Sequence, residues 1–291
     1  MKKILITGAT GFIGSNIFLN LKDKSNIYLL IRRKKTKKNN LSFFKKKKNI
    51  KIIFFGNYDE LRQKLKKIKV DIIIHCATHY IKFHKKSDIS KIIDSNIVFG
   101  SILIENLKTL RAKKFINFTT VWENYNGIKN NSYNLYSTSK TLFRNLLEFS
   151  KKNNKNTKFY NFFISDTYGS NDRRAKLIKV LKKNYKKNKI TKIISKNLYI
   201  NLINIKDILE GVNLVIKKNI SSGNYSLSNI SDYKISKIID KINKKNKKIK
   251  VKWQSSKFIK EKIYRYKKIP LWKAKFSNLN NLSDFITVSS K

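Results

Sequence analysis

The sequence predicts an α/β chain: a doubly wound parallel sheet of the Rossmann type, helices on both faces, and a small C-terminal lobe. Three observations carry this expectation. The first fourteen residues read as strand, glycine turn and helix start; short apolar runs then alternate with helical segments over the first two thirds; after about Thr167 the alternation loosens. The division is placed at 1–166 for a nucleotide-binding core and 167–291 mainly for the lobe, packed intimately because no Pro/Gly-rich linker separates them.

The first strand is Lys3–Thr7, followed by Gly8-Ala-Thr10-Gly11-Phe12-Ile13-Gly14. Gly8 suits a tight turn, Gly11 the close approach of a pyrophosphate, and Gly14 a helix lying close on the strand. Ile13, Ile17 and Leu21 recur at helical spacing across Asn16–Leu21. A dinucleotide would then rest its phosphates at a helix N-terminus, which makes Gly8, Thr10, Gly11, Phe12, Ile13 and Gly14 candidate cofactor contacts. Lys2 and Lys3 before an apolar run also open secretory signals. Here three glycines and Asn16 interrupt that run and no small-residue cleavage site follows.

The second strand, Ile27–Ile31, ends Arg32-Arg33-Lys34. An acidic residue there would accept from the ribose hydroxyls of NAD, whereas basic residues pair with a 2′-phosphate; Arg32 therefore favours NADP(H), with NAD(H) the alternative. The basic run 34–48 reads as a solvated loop with an irregular piece around Phe43. Strands follow at Ile50–Phe55, Asp71–Cys76, Phe115–Thr119 and Phe159–Ser165, interleaved with helices at Asp59–Lys67, Ile89–Leu107 and Tyr136–Lys151. In the lobe, helices are expected at Ala175–Lys187, Asp207–Lys218 and Lys234–Lys244, with strands at Lys196–Ile205 and Lys248–Trp253.

Composition narrows the function. One cysteine, Cys76, excludes an internal disulfide and a cysteine-based zinc site, and suits a cytoplasmic protein. His75, His79 and His84 lack carboxylates at ligand spacing, so no metal is expected. No uncharged run of about 18 apolar residues suggests a membrane span. The formal charge of +50 would serve nucleic-acid binding, but the lysines are spread over nearly every segment and accompany abundant Asn, Ile, Tyr and Phe. That reads as the drift of an AT-rich genome, with nonspecific, salt-dependent contact to polyanions as its consequence.

Tyr136 and Lys140 stand four apart on one helix face. A lysine charge beside a phenol lowers its pKa and makes it a usable acid or base. The spacing alone leaves open two unrelated exposed side chains. Together with the glycine turn and the Thr-bearing strand end between them, however, the pair resembles the extended short-chain dehydrogenase/reductase family over most of the chain. His75-Cys76-Ala77-Thr78 resembles the segment that passes under the cofactor, Asn96-x-x-x-Gly100 a family helix segment, and Leu271-Trp272-Lys-Ala-Lys the close of the lobe in sugar-nucleotide members.

Three further stretches look like CDP-abequose synthase and its relatives, which reduce the 4-keto group of a nucleotide-linked dideoxy sugar: 118–127, 133–136 and 166–177. The resemblance implies that Thr120 hydrogen-bonds the sugar oxygen, Tyr136 delivers its proton, and Lys140 holds the cofactor ribose. It also places Ala77, Thr78, Asn96 and Asn57 toward the cofactor, Asn57 near the adenine. Asp166 falls toward the sugar, and Arg174 and Lys176 toward the substrate pyrophosphate. Val121 departs from the polar residue many members carry, which leaves Thr119 beside Thr120 as candidate hydroxyl. The family's 4,6-dehydratases place Asp-Glu directly after the threonine; Val121-Trp122 does not, so reduction or 4-epimerisation is expected rather than dehydration. A noncatalytic nucleotide- or RNA-binding protein is the alternative of another class. The family also implies a homodimer through residues 89–107 and 136–151, a nucleotide-diphosphate sugar as substrate, and a product feeding surface polysaccharide.

Overall fold

The computed structural model describes residues 1–33, 44, 47–244 and 249–288. Most of the basic run 34–48, Phe43 included, and Lys248 lie outside them. Strands β1 (Lys2–Thr7), β2 (Ser25–Arg32), β3 (Ile50–Phe55), β4 (Ile72–His75), β5 (Lys114–Thr120) and β6 (Lys158–Ile164) join a later strand, Gly223–Leu227, in one parallel sheet. Its order is Gly223–Leu227, β6, β5, β4, β1, β2, β3. The chain reverses direction across the sheet between β1 and β4, where Thr7 pairs with His75. In open α/β sheets the crevice beyond the strand ends at this point takes ligands.

Alternation along β1 sends Ile4 and Ile6 to one face and Leu5 to the other, all fully buried. The first face packs on helix α1 (Phe12–Leu21) and the helix Ile205–Lys217. The second packs on α2 (Tyr58–Lys66), α4 (Phe99–Glu105) and α6 (Leu135–Asn153). A third apolar cluster joins the helices Leu177–Lys186, Ile235–Asn243 and Leu279–Thr287 into the lobe. Residues beyond 166 divide: 205–227 complete the core with a helix and the edge strand, Ile269 and Trp272 pack into the same core, and most of the rest builds the lobe.

The expected single helix 89–107 is not regular. It runs as α3 (Ile89–Ile93), a π-turn over Asp94–Val98, then α4 and a short α5 (Leu107–Leu110). Gly100 sits where a Cβ would lie 2.3 Å from Phe143, so its absence lets α4 approach α6. The expected strand 196–205 is also broken. Tyr199–Ile200 and Leu202–Asn204 are separate short strands, and the Asn204 side chain accepts from Lys206 N at 2.9 Å, ending the strand as a helix N-cap.

Candidate functional site

A cleft of about 840 Å³ opens beyond the ends of β1, β2, β4 and β5, between the core and the lobe. Its floor is the loop 8–14, all of whose residues line it. Gly8 adopts φ +66°, and a Cβ on it would come within 2.6 Å of the Ala77 nitrogen. A Cβ on Gly14 would meet the Gly8 carbonyl at 2.3 Å, so glycine there lets α1 lie against the turn. No side chain caps α1 and its first turn holds no carboxylate, which leaves the helix N-terminus electrically suited to an anion. This cradle fits a dinucleotide pyrophosphate.

The wall from β4 is held by buried groups. Thr7 Oγ1 accepts from Ala77 N at 3.2 Å and lies 2.9 Å from His75 Nδ1. Asn96, fully buried in the π-turn, accepts from Thr78 Oγ1 (3.0 Å) and His79 N (2.6 Å), and donates to Ser139 Oγ at 2.9 Å. Ala77 and Thr78 face the cleft, while Asn96 works behind them, tying the β4 loop to α6. Asn57 is exposed outside the described cleft lining, and its side-chain Oδ1 accepts from Glu60 N at 2.9 Å as the N-cap of α2.

β5 delivers the threonines. Alternation buries Thr119, whose hydroxyl has no partner, and turns Thr120 into the cleft, its Oγ1 accepting from Trp122 N at 3.3 Å. Helix α6 starts with a capping box, Asn134 with Ser137, which fixes its first turn and therefore Tyr136. Tyr136 lines the cleft, and the Tyr80 ring meets it edge-on at 4.9 Å. Lys140 lies one turn deeper, 2 % exposed.

Electrostatics here differ from the expectation drawn from spacing. Burial pushes the Tyr136 phenol above its ordinary range; the nearby Thr78 hydroxyl and Arg174 pull it down without prevailing. Burial pushes Lys140 down to about 8, against an upward pull from Glu123. Desolvation is the larger effect on both groups because each is enclosed. Glu123 itself is fully buried behind the cleft, 2.8 Å from Arg144 Nε and 3.1 Å from Thr141 Oγ1.

Basic residues expected to meet phosphates are already engaged. Arg32 lines the cleft but pairs with Asp94 at 2.6 Å and meets the Tyr58 hydroxyl. Arg174 holds Asp172 through Nε and a terminal nitrogen, both at 2.8 Å, donates to Thr167, and lies 4.3 Å over the Phe12 ring. It braces the glycine loop against the segment after β6. Lys176 pairs with Asp166 at 3.0 Å, and both line the cleft. Lys176 also stands 4.9 Å over Tyr80 and 5.7 Å over Trp122.

Sequence reasoning missed Tyr80, Lys82 and Glu261 in the cleft. Glu261, from the irregular chain of the lobe, accepts from Trp122 Nε1 at 3.2 Å; burial raises its carboxyl to about 7. No local pattern marks it, since its partner is 139 residues away.

Residues 4–231 match the family model described as "NAD dependent epimerase/dehydratase family". The chain is 25% identical over 235 residues to a CDP-abequose synthase of Yersinia pseudotuberculosis, covering 79% of this chain and 78% of that one. Its fold superposes on a UDP-glucose 4-epimerase of Thermotoga maritima with a TM-score of 0.78 and 16% identity, covering 98% of this chain and 97% of that one. A dTDP-glucose 4,6-dehydratase of Bacillus anthracis, solved with NAD, gives 0.77 at 18% identity, covering 98% and 96%. Glycine cradle, parallel sheet and family match agree: the chain is an enzyme of the NAD-dependent epimerase/dehydratase family.

Proposed function

We propose that this enzyme reduces the 4-keto group of a CDP-linked dideoxy sugar. The observation that carries the reading is the convergence of Thr120, Tyr136, Asp166 and the lobe's Lys176 on one cleft, with Lys140 enclosed just behind Tyr136. A nicotinamide dinucleotide, NADP(H) or NAD(H), supplies a hydride when bound on the glycine loop. Thr120 would donate to the ketone oxygen and orient it. Tyr136 would give up its phenolic proton as that oxygen becomes an alcohol, so one proton leaves the protein for each ketone reduced. Burial keeps the phenol protonated at neutral pH, the form a reduction consumes. Lys140, charged below about pH 8, offers donors toward the cofactor ribose and a positive charge that stabilises the tyrosinate.

Dehydration at carbons 5 and 6 needs an acid and a base beside the threonine. Val121 and Trp122 occupy those places, and the Glu123 carboxylate is buried on Arg144. A 4-epimerase remains the second reading, supported by the fold shared with UDP-glucose 4-epimerase and by the same Thr/Tyr/Lys groups. The product would serve surface polysaccharide synthesis. Among the described residues no helix is long and apolar enough to cross a membrane. The exposed Val98, Leu142, Leu146 and Phe149 on α6 and the neighbouring π-turn support a homodimer at this face.

The test is absorbance loss of NADH and NADPH with a CDP-4-keto-3,6-dideoxy sugar, with Tyr136→Phe as control. Stoichiometric oxidation that falls about 10²–10⁴-fold in the variant is expected. Interconversion of 4-hydroxy epimers without net oxidation would replace the reading by the epimerase. Absence of dinucleotide binding would reject both.

A further inference from the structure

The turn that follows Thr120 is held from the C-terminal part of the chain. Trp122 spends both of its N–H donors. Its backbone N–H goes to Thr120 Oγ1 at 3.3 Å, and its indole Nε1 goes to Glu261 Oε2 at 3.2 Å. Two further bonds fasten the same turn to the same stretch. Lys262 N donates to Asn126 Oδ1 at 3.3 Å, and Asn124 Nδ2 donates to the Tyr266 hydroxyl at 3.4 Å. Residues 261–266 therefore clasp 122–126 through partners 136 to 142 residues away in sequence.

The clasp bears on the reacting end of the cleft. A threonine hydroxyl has one proton to donate and two lone pairs. The Trp122 N–H fills one lone pair, which leaves the hydroxyl proton free for a ligand. The indole is confined on its other sides: its ring lies 5.2 Å from that of Tyr133 and 6.2 Å from that of Tyr80, with Lys176 5.7 Å over it. Glu261 fixes the remaining edge. Ile259, Lys260, Glu261 and Ile263 also line the cleft, so the clasping stretch is itself a wall that a substrate meets. Around the Glu261 carboxyl, Asp166 after β6 and Asp232 of the lobe oppose its charge, while Lys82 of the β4 loop and the indole N–H favour it; burial is the largest effect and raises it to about 7.

We propose that Glu261 is a positioning residue that acts through Trp122 to set the Thr120 hydroxyl for the reacting oxygen. The C-terminal part of the chain then takes part in the chemical step, besides forming a wall of the cleft. Without the carboxylate the indole can turn, and the Trp122 N–H and the Thr120 hydroxyl turn with it. Displacements of about 1 Å at a reacting group can cost about 10²-fold in rate, so a contact this remote in sequence still counts. The inference rests on reading Thr120 as the residue that meets the ketone.

The experiment compares the full-length wild type with Glu261→Leu, Glu261→Gln, Trp122→Phe and the Leu/Phe double variant. Steady-state kinetics use the CDP-4-keto-3,6-dideoxy sugar. Glu261→Leu should lower kcat about tenfold or more while KM changes by less than about threefold. Glu261→Gln keeps an acceptor and should restore most of the rate, and the double variant should fall no further than Glu261→Leu alone. A second readout needs no substrate. The chain has three tryptophans, so a proton–nitrogen correlation spectrum holds three indole signals, and the one lost in Trp122→Phe is that of Trp122. In wild type this signal should titrate with a midpoint of about 7, and in Glu261→Gln it should lose that titration. A Glu261→Leu enzyme within about twofold of the wild-type kcat, a loss confined to KM, or additive losses in the double variant overturns the proposal. A Trp122 signal that ignores Glu261→Leu does the same. Wild type that shows the expected Trp122 titration yet turns over no 4-keto sugar would instead reject the ketone reading on which the proposal rests.

Discussion

Replacing Gly100 by alanine would put a methyl carbon where the Phe143 ring already lies. The added Cβ would be 2.3, 2.5 and 3.0 Å from three ring carbons. Carbon–carbon contacts settle at about 3.5–4.0 Å, so ring or helix must retreat by about 1 Å or more. The ring has little room: Phe143 is fully buried, with His75 at 5.2 Å and Phe115 at 6.4 Å. Overpacking of this kind costs about 1–3 kcal/mol. Taking about 2 kcal/mol at roughly 2–4 °C per kcal/mol, Tm falls by about 4–8 °C. The displacement also reaches the site, because α4 follows the turn that holds Asn96 on Ser139 and the Thr78 loop. Misplacing reacting groups by about 1 Å can cost about 10²-fold in rate. The assay is thermal unfolding beside kcat/KM for Gly100→Ala, Phe143→Leu and the double variant. Removing ring atoms should relieve the clash, giving a coupling of about 1 kcal/mol or more between the sites. A Gly100→Ala protein within about 1 °C of wild type, or strictly additive variants, would refute the reasoning.

Other outcomes follow from the same geometry. Lys140, lowered to about 8 by burial, loses its charge as pH rises through that value; kcat/KM for the dinucleotide should then fall with one-proton dependence, and a profile flat to about pH 10 would remove Lys140 from that role. Glu123→Ala should destabilise by about 3–5 kcal/mol in urea unfolding, since it strands buried Arg144, whereas Glu123→Gln keeps an acceptor and should cost clearly less. Equal losses would show that the charge pair is not what the site requires. Phe149→Asp, on a side chain 63% exposed beside Leu142 and Leu146, should yield monomers by light scattering while leaving Tm nearly unchanged. An unchanged mass would reject a homodimer through this face.

The strands and helices that build the sheet were legible in the sequence because each is a local pattern. Buried parallel strands read as continuous apolar runs, and Gly11 and Gly14 answer to contacts within the turn itself, though Gly8 also answers to Ala77 across the sheet. Thr120, Tyr136 and Lys140 were singled out by the family resemblance together with a strand end and a four-residue spacing; the fold brings Thr120 and Tyr136 to the cleft and encloses Lys140. The breaks came where side chains competed with the backbone: Asn204 capping a helix inside an expected strand, and a π-turn inside an expected helix.

Charge and proton affinity were decided by the tertiary structure. Arg32 and Asp94 are 62 residues apart, and Trp122 and Glu261 are 139 apart. Arg174 stacks on Phe12, and Asn57 spends its side chain on the α2 cap rather than in the cleft. A cation's availability depends on what packs beside it, and a phenol's pKa on how much water reaches it. Sequence alone determined which groups stand at the strand ends; only the fold determined which of them are paired, which are buried, and so which charge each presents to a ligand.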